Sequence, residues 1–306
     1  MTDRDGLLQN AGINTRLSHI GNDPSDYHGF VNPPVVHAST VLFPNAKAMD
    51  QRAQKYTYGT RGTPTTDALC EAIDALEGTA GTILVPSGLP AVTVPFLAFL
   101  SSGDHALVVD SVYGPTRHFC DTMLKRLGVS VEYYDPAIGE GIEALIRPNT
   151  KLVHLEAPGS NTFEIQDVRL ITDIAHRHDC VVTMDNTWAT PLYFKPLDFG
   201  VDVSIHASTK YPSGHSDILL GTVSANAKHW PQLLETHGAM GNDRSQKPTF
   251  PIATKTAEPR IGKMAPIDPS PATQKSGRFR QRSTGFQFPR PKWAHRAAAH
   301  PAQAAA

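Results

Sequence analysis

The sequence predicts an α/β fold in which a mainly parallel sheet carries helices on both faces. Three observations lead there. From about residue 61 to residue 240, short apolar runs alternate with stretches of helical periodicity, the pattern of strands joined by crossover helices. The runs are apolar throughout rather than at every second position, as strands buried on both faces should be. Finally, two reactive residues, Asp185 and Lys210, stand at or just beyond the ends of such runs, where an open parallel sheet binds its ligands.

Residues 1–60 are expected to form an extended N-terminal arm, because VNPPVVHASTVLF pairs two prolines with β-branched residues and offers no comfortable helix start. The domain proper is expected over 61–242. Its first helix lies in TTDALCEAIDALEG, where Ala68, Leu69, Ala72, Ile73 and Leu76 share one face and Gly78 ends the element. Residues 81–100, GTILVPSGLPAVTVPFLAFL, are uncharged and long enough to cross a bilayer. Pro86, Pro90 and Pro95 interrupt the stretch, so it reads as strand, turn and buried helix, with no membrane as partner. HALVVD is the next strand, followed by a helix through about Lys125. VSVEYYD, TKLVHLEA, CVVTMD and VDVSIHAS complete the set, with VRLITDIAHRHD as the crossover helix between TKLVHLEA and CVVTMD. No internal repeat is present, which argues against a repeat-built scaffold.

Composition narrows the setting. Hydrophobic residues make up 40% of the 306, suited to a soluble globular protein. Cys70, Cys120 and Cys180 are odd in number, widely spaced and without metal-ligand spacing; buried thiols in a reducing compartment are expected, and no metal site. MTDRDGLLQN has acidic residues and no apolar core, so a cytoplasmic location is expected. The near-neutral total hides a split: residues 243–306 hold 12 Lys/Arg against 3 Asp/Glu, leaving the rest acidic by ten. Such a tail suggests nucleic acid. However, nine prolines and the absence of any apolar period point instead to a basic, Pro/Ala-rich disordered segment with no nucleic-acid partner.

The reactive residues fit one strategy. Lys210, in VDVSIHASTKYPSGHSD, follows Asp185 by 25 residues. A lysine amine can condense with an aldehyde cofactor while an aspartate stays ionised against a protonated ring nitrogen, so that the ring takes up electrons. Taken alone, a lysine after a strand is ordinarily a solvated residue. Here Ser208 and Thr209 precede it as hydroxyls able to hold a phosphate. Asp185 alone would serve as a turn or cap residue, but a carboxylate closing a buried strand needs a partner. Ser87, Gly88 and Leu89 lie between a strand and a helix-like run; they make either an ordinary turn or a phosphate site of helix-start amides. Tyr113 is either a core residue or a ring stacked on a flat cofactor. Tyr58 and Arg61 lie in YGTRGTPT, where a surface arginine is the plain alternative.

These segments together carry a resemblance. YGTRGTPT, SGLPA, DSVYGPT, LEAPGS, MDNTWATP and LDFGVDVSIHASTKYPSGHSD stand in the order and spacing of the pyridoxal-phosphate enzymes of cysteine and methionine metabolism, the transsulfuration family. Among these the chain most resembles the cystathionine β-lyases, over roughly residues 15 to 240. The resemblance implies the fold-type I architecture of pyridoxal-phosphate-dependent transferases, with pyridoxal 5′-phosphate as cofactor. Lys210 would hold the cofactor covalently and shuttle protons, Asp185 would bind the pyridine nitrogen and Tyr113 would stack on the ring. The Gly88 and Leu89 amides, with Thr209 and Ser208, would hold the phosphate. Tyr58 and Arg61 would reach in from a neighbouring subunit, so a homodimer or a homotetramer is implied. The activity implied is carbon–sulfur β-lysis of cystathionine, an amino-acid substrate, to homocysteine, pyruvate and ammonia; γ-replacement on an activated homoserine is the alternative within the family.

The chain also departs from the family. The arginine usually two residues after the tyrosine is Thr60 here, with Arg61 following, and the motif serine stands two rather than three residues before Lys210. After HGAMGN (237–242) the resemblance stops, and nothing in 243–306 reads as the smaller C-terminal domain whose arginine binds the substrate carboxylate. A shift of reading frame is expected there, with the small domain missing and turnover reduced or lost; a non-catalytic remnant is the alternative of another class.

Overall fold

The computed structural model describes residues 8, 10–21 and 23–241; the basic tail, 243–306, lies outside the described residues. The N-terminal sixty residues are not simply extended. Short helices α1 (Ile13–His19) and α2 (Ala46–Asp50) and a 3-10 turn at Pro24–Tyr27 interrupt the arm. Side-chain caps missed in the sequence account for two of them: Asp23 accepts from the Ser25 amide at 3.0 Å and Asn45 from that of Ala48 at 2.9 Å. Residues 33–43 do run without a helix, tied to the rest by the Thr40–Tyr58 bridge, by the Gly59 amide donating to the Ser39 carbonyl, and by Thr65 Oγ1, which accepts from the Val36 amide and donates to the Pro34 carbonyl.

The domain begins with α3 (Pro64–Glu77), where Thr63 and Thr66 cap one another reciprocally and Pro64 occupies the first turn. Gly78 ends it at φ 75°, a left-handed conformation that costs glycine little. β1 (Gly81–Val85) leads into α4 (Gly88–Phe99), so the uncharged stretch is a strand and a helix. α4 tolerates Pro95 because the helix is packed: Val94, Pro95 and Phe96 are all buried. β2 (His105–Val109) follows, then α5 (Gly114–Phe119), which continues through a π-turn at Cys120–Leu124. β3 (Ser130–Tyr134), β4 (Thr150–Glu156), α6 (Val168–Arg177), β5 (Val181–Asp185), α7 (Thr190–Tyr193) and β6 (Val203–His206) complete the expected alternation.

Two further elements close the domain, β7 (Gly221–Ala225) and α8 (Trp230–Ala239). The sheet order is β1-β7-β6-β5-β4-β2-β3. β7 is antiparallel to both β6 and β1, so β1 points the same way as β6 and only β7 is reversed. The cause is the connection: 14 residues without an α-helix join β6 to β7, and a parallel return needs a crossover. That connection contains Lys210.

The two faces are covered by different helices. His154 and Thr183 share one face through a 2.9 Å hydrogen bond, and Phe96 of α4 meets His154 edge-on at 5.1 Å. Ser204 and His206 alternate onto the other face, where both meet Glu77 of α3. Between these layers lie Ile83, Val85, Leu107, Val153, Leu155, Val182, Val203 and Ile205, all fully buried.

Candidate active site

Asp185 is the last residue of β5, a strand with neighbours on both sides. Only 9% of it is exposed. Its Oδ1 accepts from the Thr187 amide at 2.9 Å. Burial pushes its carboxyl pKa above the ordinary value, opposed by hydrogen bonds from Thr187 and by the nearby His206. Thr187 supplies its hydrogen-bond donors, and it forms no salt bridge among the described residues.

The Lys210 loop is fastened to this point. The Ala207 amide donates to Thr187 Oγ1 at 2.8 Å, so the residue that supports Asp185 also holds the start of the loop. The Lys210 amide turns back to the Ala207 carbonyl at 2.9 Å, and Ser213 Oγ lies 2.9 Å from the Lys210 carbonyl. The side of Lys210 itself faces solvent. Thr209 donates its amide to the Leu220 carbonyl at 2.9 Å. Ser208 is differently placed from an open phosphate ligand: its hydroxyl is buried and paired with Thr222 Oγ1 of β7 at 2.8 Å.

Gly88 begins α4 against the same loop. A Cβ built on Gly88 would stand 2.5 Å from the Ala207 Cβ, so only glycine allows the helix start to lie this close. The amides of Gly88 and Leu89 occupy the first turn, where a helix has no acceptor of its own for them, and Pro90 has no N–H. They present donors and the positive end of the helix dipole at the carboxyl edge of the sheet.

Tyr113 lies on the loop after β2 and is 48% exposed. Its amide donates to Glu156 Oε2 at 2.7 Å. Glu156 ends β4 in register with Asp185 on β5, so two acidic side chains stand on one face of the sheet. This is also the switch point of the topology: β2 leads outward to β3, and the chain then crosses back to β4. Sequence reasoning missed Glu156, although TKLVHLEA ends an apolar run with an acid just as CVVTMD does.

Tyr58 and Arg61 are not brought to this cluster by any contact among the described residues. Tyr58 is 49% exposed in the arm, and Arg61 lays its guanidinium against Gly238 at the end of α8, filling the space a side chain there would need. A cation at a helix C-terminus is favourable in its own right.

The donor set fits pyridoxal phosphate. Gly88 and Leu89 offer first-turn helix amides for a phosphate, and Asp185, which forms no salt bridge among the described residues, offers a buried carboxylate for a protonated ring nitrogen. A lysine lies on the loop tied to both.

Comparison with known proteins bears on the same residues. Residues 14–256 match the Cys/Met metabolism PLP-dependent enzyme family. The chain is 80% identical over 241 residues to a Rhizobium johnstonii protein provisionally named a cystathionine β-lyase, covering 79% of this chain and 61% of that one. It is 41% identical over 236 residues to the cystathionine β-lyase MetC of Escherichia coli, covering 75% of this chain and 60% of the other. A solved structure of cystathionine γ-lyase from Lactobacillus plantarum, complexed with L-serine, matches with a TM-score of 0.73 at 30% identity. That match covers 78% of this chain and 61% of the other. The chain thus spans about three-fifths of the length of these relatives.

Proposed function

Because the chain belongs to the Cys/Met metabolism PLP-dependent enzymes, we propose that it acts as a carbon–sulfur β-lyase, converting cystathionine and water to homocysteine, pyruvate and ammonia. The observation that carries the reading is the tether that runs from Asp185 through Thr187 to Ala207, against which Gly88 packs and from which the Lys210 turn hangs. It ties the strand end that bears Asp185 to the loop that bears Lys210, with the start of α4 packed on that loop, which supports reading the three as parts of one site.

When bound, pyridoxal phosphate supplies an electron sink for negative charge developing at the substrate Cα. Asp185 keeps that sink effective by remaining ionised and accepting from the ring N–H; such charge-assisted hydrogen bonds contribute about 1.5–3 kcal/mol. The Gly88 and Leu89 amides and the Thr209 hydroxyl orient the phosphate. Lys210 would hold the cofactor at its aldehyde carbon, and its amine, once released, would take the proton from the substrate Cα as the sulfur leaves Cβ with its electron pair. Tyr113 would pack on the ring, and Tyr58 and Arg61 would act on the site of a second copy, in a homo-oligomer. Ser208, paired with Thr222, supports the loop.

The likeness to a cystathionine γ-lyase structure favours a second reading, elimination or replacement at Cγ. Loading purified protein with pyridoxal phosphate and offering cystathionine separates them. Pyruvate marks β-lysis, 2-oxobutyrate marks γ-lysis, and incorporation of a thiol into an activated homoserine without a keto acid marks γ-replacement. Cofactor uptake with none of these would make the chain a non-catalytic binder. Failure to take up cofactor would overturn the reading altogether.

A further inference from the structure

The mechanism above leaves one carboxyl of the pocket without a role. Glu156 is buried at the end of β4, 9% exposed, and held at both its carboxyl and its backbone amide. Its Oε2 accepts the Tyr113 amide at 2.7 Å. Its own amide donates to Gln166 Oε1 at 3.1 Å, and Gln166 Nε2 donates to the Tyr134 hydroxyl at 2.9 Å. That hydroxyl in turn donates to the His154 carbonyl at 3.0 Å, so the end of β4 is pinned by a buried chain of hydrogen bonds.

The charge on its neighbour decides its protonation. Asp185 stands across the β4–β5 ladder, and two adjacent buried carboxylates cannot both ionise cheaply. Asp185 has the Thr187 donors and His206 of β6 on its side; among the described residues the Glu156 carboxyl accepts from the Tyr113 amide, while its own backbone amide donates to the neutral Gln166. Burial, then the charge on Asp185, push the Glu156 carboxyl up to about 8, against the pull of the Tyr113 amide.

We propose that Glu156 is the positioning residue of this pocket: a neutral carboxyl that anchors the Tyr113 segment while leaving the negative charge needed by the ring nitrogen on Asp185 alone. This rests on the pyridoxal-phosphate reading of the site. Tyr113 is half exposed and on a loop, so this anchor is what sets its ring relative to the strand ends. A charged Glu156 would compete with Asp185 for the pyridinium proton and raise the cost of ionising both.

The test uses the full chain, Glu156→Gln and Glu156→Ala, with pyridoxal phosphate titrated in at pH values from about 6 to 9. Dissociation constants are read from the bound cofactor's absorbance and fluorescence. Glutamine copies the neutral acid and keeps the acceptor for Tyr113, so at about pH 6–7 it should bind within about twofold of the parent, and alanine about tenfold more weakly. As pH rises through about 8 the parent's affinity should change while that of Glu156→Gln stays flat relative to it. Alanine binding as tightly as the parent, or glutamine binding as weakly as alanine at pH 6, would overturn the proposal. Thermal melts without cofactor report folding; should Glu156→Ala fail to fold, the pH comparison between parent and the nearly isosteric glutamine still decides. A parent chain that takes up no cofactor at any pH refutes the reading of the site itself, a result distinct from a parent that binds and variants that follow it.

Discussion

Glu77 lies 127 residues before Ser204 and 129 before His206, yet one of its oxygens serves both. His206 Nε2 lies 2.7 Å from Glu77 Oε1 and the Ser204 hydroxyl donates to the same oxygen at 3.0 Å. Glu77 is fully buried and His206 nearly so. Removing one member of a buried hydrogen-bonded pair strands the other in a low dielectric, at a cost of about 3–5 kcal/mol. Glu77→Ala should therefore destabilise the domain by that amount, with a further contribution from the space left at the end of α3. With a urea slope of about 3 kcal/mol per molar, the midpoint falls by about 1–1.7 M.

The joint variant Glu77→Leu, His206→Leu behaves differently, because the desolvation cost of both polar groups goes with them. It should cost less than either single leucine change, with only the Ser204 hydroxyl left without its acceptor, worth about 1 kcal/mol. Urea unfolding of the parent, Glu77→Leu, His206→Leu and the joint variant supplies the cycle, with Glu77→Ala measured beside it. Additivity of the singles within about 0.5 kcal/mol, or a Glu77→Ala cost below about 1 kcal/mol, would refute the account of a coupled buried pair.

Three further outcomes are expected. Lys210→Ala should still take up cofactor but retain none after borohydride reduction and denaturation; a reduced, covalently labelled variant detected by mass spectrometry would remove Lys210 from its role. Gly88→Ala places a methyl 2.5 Å from the Ala207 Cβ, so overpacking of about 1–3 kcal/mol should lower the melting temperature and weaken cofactor binding together, and an unchanged melt contradicts the close approach. Asp202 is pushed up by burial but held at about 2 by the stronger pull of His229, the Val182 amide and His176. Its pKa is depressed on folding, so its stabilisation of about 2 kcal/mol is present above about pH 4 and is lost as pH falls through the folded value. Asp202→Asn should lose that amount at neutral pH and nothing near pH 2, as measured by urea midpoints at both.

The sequence made the strands legible because they are continuous apolar runs: CVVTMD ends where β5 ends, at Asp185, and VDVSIHAS overruns the end of β6 by two residues. β7 escaped because GTVSA is short and made mostly of small or hydroxylic residues, with no run long enough to stand out. Its reversal was illegible for another reason: direction follows from the connection, and the Lys210 loop had been read only for its chemistry. The arm is not extended throughout, and two of its short turns, Pro24–Tyr27 and α2, rest on the single caps Asp23 and Asn45 with no buried residue of their own, a signal that apolar periodicity does not carry. Gly88 was legible as a glycine before a helix, but its need for Ala207 is a contact across 119 positions that no local pattern encodes. Glu77 and His206 were invisible for the same reason, each ordinary in its own segment.

The reversed strand explains why the site can hold together at all. Six strands share a direction, so α4 starts after β1, Tyr113 follows β2, and Glu156, Asp185 and the Lys210 loop follow β4, β5 and β6 on one edge. A loop leaving β6 toward a crossover helix would be carried away from that edge. Here it returns at once: Thr209 donates to Leu220, Ser208 pairs with Thr222, and Gly221 stands in register with Val85 at the end of β1. The start of β7 is thereby a second anchor for the lysine loop, independent of the Thr187 tether on its other side. Losing one anchor should loosen the loop without freeing it. Thr222→Val, which keeps the shape and removes the hydroxyl partner of Ser208, is expected to weaken cofactor binding less than Thr187→Val, which also deprives Asp185 of a hydroxyl partner. Equal losses in the two variants, measured as cofactor dissociation constants at equal stability, would mean that the loop is held as a whole and that Asp185 gains nothing of its own from Thr187.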